Sequence, residues 1–225
     1  MRPLLLFLVG VCALLSLHAQ TDTNHAAAKQ ANPPDANPQY FPVGQFSKHP
    51  NLSDFRARWY ASELRDQGEP SLRQGKATAV PVYRLLLIPP FTPSLVVRLS
   101  VNPDGSGKLL AKLGAKRSRR TETEQQTLSL SPKQVSKFLG LLREATFWSL
   151  PTDRYEESSM RFTDAKEWLL EANKSGNYHV VSRSDGLIES KFFLACEYLL
   201  EVAPLKAETG YRTRTEINQS APSPD

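Results

Sequence analysis

Two short apolar runs, VYRLLLI at Val82–Ile88 and SLVVRLSV at residues 94–101, are bounded by proline clusters and read as β-strands. The second passes through NPDGSG into KLLAKLGAK, where Asp104 and Gly105 supply turn chemistry, so a β-hairpin is expected over residues 94–115. A further strand is expected over residues 123–130, after the charged loop KRSRRTETE. The pattern then changes period. In SPKQVSKFLGLLREATF, Val135, Phe138, Leu139 and Leu142 fall on one helical face; Ser131 is placed to cap, Pro132 fits the first turn, and Gln134 stands where a capping box needs it. ESKFFLACEYLLEVAP repeats the helical pattern with Phe192, Cys196, Leu199, Leu200 and Ala203, and stops at Pro204. Between these helices, residues 161–184 alternate as a second hairpin. Ahead of the strands, NLSDFRARWYASELRDQGEPSL spaces Leu52, Phe55 and Trp59 as one helix face, with Ser53 as the N-cap and a stop at residues 68–70.

Strands then a helix, and again strands then a helix, predict an α+β domain: an antiparallel β-sheet with helices packed on one face. The shared Lys-Phe start and proline stop of the two later helices hint at a strands-then-helix duplication.

The ends of the chain change where this domain is placed. MRPLLLFLVGVCALLSLHAQ carries one charge, Arg2, and then an apolar run of about 14 residues, short of the ~20 that a membrane span needs. This is the pattern of a secretory signal peptide over residues 1–19, cut after Ala19, and no other run approaches spanning length. Residues 20–45 and 206–225 lack apolar periodicity and are rich in small or polar residues and proline, so a disordered leader and tail are expected around a single domain at 46–205. A secreted or periplasmic location follows.

Loss of residues 1–19 removes Arg2 and no acid, so 28 basic residues become 27 against 23 acidic ones and the net charge falls from +5 to +4. That balance gives no ground to expect a nucleic acid partner. KRSRR is followed at once by Glu122 and Glu124 and has no interleaved aromatics, so it reads as a solvated loop. Only Cys196 remains after cleavage, which excludes a disulfide scaffold; its apolar neighbours imply a buried thiol. Asn51, Asn173 and Asn218 begin N-x-S sequons, and Asn173 is expected to be accessible at a hairpin turn.

Candidate chemistry gathers in WLLEANKSGNYHVVSR, residues 168–183. A turn centred on Ser175 sets Glu171 opposite His179, Leu169 opposite Val181 and Glu167 opposite Arg183, leaving Trp168, Leu170, Tyr178 and Val180 for the core. Glu167, Glu171, His179 and Arg183 are therefore the candidate binding residues. The Glu171 and His179 pair would suit general base chemistry, but no nucleophile, second histidine or glycine elbow stands at recognisable spacing, and nothing calls for a metal or cofactor.

Five short motifs follow one another in order: Trp59-Tyr60, GEPSL at residues 68–72, FWSLP at 147–151, Trp168 with Glu171, and YHVV at 178–181. In this order they resemble a family of uncharacterised exported bacterial proteins, a domain of unknown function. Ala165 and Ser184 stand where that family's pattern has glycine and tryptophan. The resemblance implies export and an intact domain, and no reaction. Two functions remain open: a non-catalytic periplasmic or extracellular module, interaction or inhibitor-like, with an envelope or extracellular protein partner, and a hydrolase of a cell-envelope substrate using His179 and Glu171.

Overall fold

The computed structural model of the chain describes residues 40–73, 80–115, 123–154, 165–185 and 189–205. The expected signal peptide, most of the expected leader, the KRSRR run and the expected tail lie outside the described residues. In chain order the elements are α1 (Pro50–Asp66), β1 (Val82–Ile88), β2 (Leu95–Val101), β3 (Gly107–Leu113), β4 (Glu124–Leu130), α2 (Pro132–Glu144), β5 (Glu167–Lys174), β6 (Asn177–Ser184) and α3 (Ser190–Val202). A single 3₁₀ turn, Phe147–Ser149, follows α2.

The strands form one six-stranded antiparallel sheet in the order β4-β3-β2-β1-β5-β6. The first four strands make a meander. The chain then crosses through α2 and adds the β5–β6 hairpin on the free side of β1, which becomes central. That placement explains why β1 is buried along its whole length. The strands-then-helix order is present, with four strands before α2 and two before α3.

One face of the sheet carries Leu85, Leu87, Val97, Leu99, Leu109, Trp168, Leu170 and Val181, and α2 and α3 pack on it side by side. The expected helix faces are in place: Val135, Phe138 and Leu142 from α2, and Phe192, Cys196, Leu199 and Leu200 from α3, are buried. The capping box forms, Ser131 accepting from Gln134 and Gln134 from Ser131. Gly107 gives α2 its close approach, because a Cβ there would stand 2.9 Å from Val135 and 2.7 Å from Leu99.

The opposite face is not free. Tyr60, Ala61 and Leu64 of α1 close over Leu86, Ile88, Val96, Leu169 and Val180, together with Phe41 and Phe46. This changes two expectations. The buried stripe of α1 is Ser53, Arg56, Tyr60 and Leu64, whereas Phe55 is 57% exposed and Trp59 only half-buried. Ser53 is no cap: His49 holds that position, and the Ser53 hydroxyl accepts from the Phe46 amide at 3.2 Å. The packed chain also begins before residue 46, since Phe41 sits edge-on to Phe46 with ring centroids 5.1 Å apart.

Candidate functional site

The β5–β6 hairpin turns on two residues, Ser175 and Gly176, both with positive φ (54° and 86°). Lys174 therefore faces Asn177, Ala172 faces His179, Glu171 faces Val180, Trp168 faces Arg183 and Glu167 faces Ser184. The register differs by one residue from that expected for a turn centred on Ser175, and such a slip moves one strand's side chains to the other face. Glu171 and His179 consequently lie on opposite faces of the sheet, as do Glu167 and Arg183. Neither expected pair forms, and the hydrolase reading loses the pair it was built on.

Each of the four residues is held elsewhere. Glu171 faces α1's side of the sheet, where it accepts from Arg84 Nε at 2.8 Å and from the Tyr178 hydroxyl at 2.8 Å. Arg84 is wholly buried, projects from the same face of the neighbouring strand, and also donates to the Pro70 carbonyl at 2.6 Å. Burial alone would disfavour its charge, but Glu171 and Glu69 hold its pKa above the ordinary value. The same surroundings push the Tyr178 phenol up, first through burial and then through Glu171.

Glu69 is the hub of this cluster. Gly68, with φ of +64°, ends α1: its amide returns to Arg65 O at 2.8 Å and the Glu69 amide to Leu64 O at 2.9 Å. That turn drops the Glu69 side chain onto the sheet, 2% exposed, among Lys112 Nζ at 2.8 Å, Arg98 Nη1 at 3.1 Å and Arg84 Nη1 at 3.4 Å. GEPSL is thus a plug. At its last residue, the Leu72 carbonyl accepts from Asn173 Nδ2 at 2.7 Å. Asn173 is buried, so its sequon is not the accessible acceptor expected from its place beside a turn.

Glu167 anchors a second cluster on this face. Its Oε2 accepts from Tyr60 Oη at 2.8 Å and Arg56 Nη2 at 3.1 Å, and its Oε1 from the Ser184 hydroxyl. Arg56 also donates to Tyr60 Oη at 2.7 Å, to Ser182 Oγ at 2.8 Å and to Asp153 Oδ2 at 2.7 Å. Burial raises the pKa of Tyr60, Glu167 adds to the rise, and Arg56 opposes it.

His179 and Arg183 belong to the α2 and α3 side. The His179 ring meets Phe147 edge-on at 5.0 Å and lies tilted against Trp148 at 6.0 Å. Burial lowers its pKa, against hydrogen bonding to the backbone at Leu150 and Phe147. Arg183 donates to both carboxylate oxygens of Glu189, at 2.8 and 2.9 Å, and to the carbonyls of Pro151 and Thr152. Cys196 is fully buried, and burial pushes its thiol pKa up, away from reactivity.

The sequence reading missed Arg56, Tyr60, Glu69 and Arg84. A signal for Arg84 and Glu69 existed: a lone arginine inside VYRLLLI, in a strand buried along its length, demands a buried counter-ion. The five ordered motifs are the segments that make these contacts. Tyr60 meets Glu167, Glu69 meets Arg84 beside Glu171 and Tyr178, and Phe147 and Trp148 meet His179. No group of His, Cys, Asp and Glu among the described residues is arranged to hold a metal ion, and no described helix is long and apolar enough to cross a membrane. Neither the protein-family models nor the curated proteins contain a match to this chain.

Proposed function

We propose that the protein is an exported, non-catalytic interaction module, inhibitor-like in character, that acts through its surface on an envelope or extracellular protein. The observation that carries this reading is how the sheet's ionisable residues are used. Glu171, Glu167 and Arg183 spend their charged atoms on Arg84, Arg56, Tyr60 and Glu189, and His179 packs against an aromatic turn. Large apolar groups meanwhile face water. Phe91 is 83% exposed in the β1–β2 loop, and Phe55 lies on the outer side of α1 with its ring 6.3 Å from that of Trp59. Aromatic residues are enriched among the anchors of protein–protein interfaces. The signal-peptide pattern of residues 1–19 and the ordered motifs support the exported half of the reading.

The test is capture from envelope extract by the purified protein and by two variants, Phe55→Ser with Phe91→Ser, and His179→Ala. The module reading expects one saturable partner, lost in the aromatic variant and kept in His179→Ala. A protein that captures nothing at any salt concentration, or whose capture depends on His179 and not on the aromatics, refutes it.

A further inference from the structure

The two edges of the sheet are treated differently. At β6 the outward Ser182 amide donates to the Thr152 carbonyl at 2.7 Å, and the Arg183 guanidinium ties down the same segment, so that edge is covered around Ser182. At β4 residues 124–129 are all exposed. Natural edges are guarded by lysine, proline or a bulge. EQQTLSL has no lysine or proline, and its pairing with β3 runs unbroken from Gly107↔Leu130 to Leu113↔Glu124.

The backbone also fixes which groups β4 offers. The Asn102 amide bonds Ser106 O and the Gly114 amide bonds Ser94 O, so even-numbered residues of β3 bond β2 and odd-numbered ones bond β4. By the alternation of antiparallel ladders, Glu124, Gln126, Leu128 and Leu130 turn toward β3, and Gln125, Thr127 and Ser129 point their N–H and C=O groups outward. That set is symmetric about Thr127.

We propose that β4 is a homodimerisation edge, pairing antiparallel with β4 of a second copy about a two-fold axis at Thr127. Thr127 then faces its own copy and Gln125 faces the partner copy's residue 129, so every outward amide and carbonyl of the three residues finds a partner. Thr–Thr and Gln–Ser neighbours are compatible on one side of the joined sheet. On the other side the exposed Leu128 side chains of the two copies become diagonal neighbours and shield each other. Charge fits as well. Glu124 is the strand's one charged residue, and the pairing sets it opposite Leu130 of the second copy, one residue before that copy's α2 cap. The first turn of α2 contains Lys133 and no acid, so Glu124 supplies the negative charge that a helix N-terminus favours. The two-fold pairing is isologous and uses up the β4 edge of both copies, so it closes at two. This inference does not rest on the proposed function.

Sedimentation equilibrium of the purified protein over a concentration series tests it, with Thr127→Lys and Thr127→Pro as variants and thermal melts to show that each is folded. Proline at an outward-facing edge amide removes a donor the monomer does not use. The parent is expected to reach twice the monomer mass, with both folded variants at the monomer mass. Slow exchange of the Gln125, Thr127 and Ser129 amides should be lost in Thr127→Lys. Oxidation of Thr127→Cys should give a disulfide-linked dimer far faster than oxidation of Lys174→Cys, at the hairpin tip of the other edge. A parent that stays monomeric with those amides unprotected, a Thr127→Lys variant that still dimerises, or equal cross-linking of the two cysteine variants would overturn the proposal.

Discussion

Replacing Glu69 by glutamine removes one negative charge from a site where Lys112, Arg98 and Arg84 lie within 2.8 to 3.4 Å and the carboxylate is buried. Among the described residues Glu171 then remains to balance Arg84, and Lys112 keeps the carbonyls of Gln67 and Gly68. Breaking a buried ion pair by removing one partner costs about 3 to 5 kcal/mol, because the other charge stays buried without compensation. Against a total stability of about 5 to 15 kcal/mol, that is a large share. Urea unfolding followed by the fluorescence of Trp59, Trp148 and Trp168 measures it. The loss should persist in high salt, since buried charges are poorly screened. Lys112→Met added to Glu69→Gln should recover part of it, because the double change removes a stranded cation along with its partner. A Glu69→Gln variant within about 0.5 kcal/mol of the parent, the range of an ordinary surface substitution, would refute the hub assignment. So would a Lys112→Met change that simply adds its own cost.

Three further outcomes follow from the packing. Trp168→Ala should lose about 3 to 5 kcal/mol in the same urea assay, since the ring is fully buried and stands edge-on to Phe193 at 5.4 Å. Cys196 should resist a charged thiol reagent in the native protein and react only on unfolding; rapid native labelling would contradict its burial on α3. His179 has a folded pKa below its ordinary value of about 6.5, so the unfolded chain binds its proton first. Its contribution is complete above pH ~6.5 and is lost as pH falls from there through the lower folded value; melting temperatures across that window should decline less in His179→Phe than in the parent.

The elements were largely legible in the sequence because local signals and tertiary packing agree in them. Ser131 with Gln134, Asp104 with Gly105, and the apolar faces of α2 and α3 need no knowledge of the rest of the chain. The candidate site failed where one residue of register decides everything. NKSGN can be centred on Ser175 or between Ser175 and Gly176, and the choice exchanges core and solvent for a whole strand. The second centring lets two consecutive residues take positive φ, which strand twist favours in a two-residue turn. α1 misled for another reason. Its aromatic spacing at Phe55 and Trp59 marks the outer side, while its inner stripe is partly polar, and Ser53 and Arg56 are buried because Phe46, Tyr60 and Glu167 await them. A polar buried stripe is invisible to hydrophobic periodicity until its partners are known.

The claim that the hairpin's charged residues are internal counter-ions, and not two halves of one site, rests on that register. In a two-residue hairpin the pairs flanking the turn alternate between hydrogen-bonded and non-hydrogen-bonded, and Glu171 with Val180 falls in the second class, where Cα atoms approach to about 4.5 Å. Nuclear Overhauser spectra of the labelled protein in heavy water read this directly from contacts between α-protons. The account predicts strong cross-peaks joining Glu171 to Val180 and Leu169 to Ser182. Cross-peaks joining Glu171 to His179 and Leu169 to Val181 would put the carboxylate and imidazole back on one face, and would contradict it.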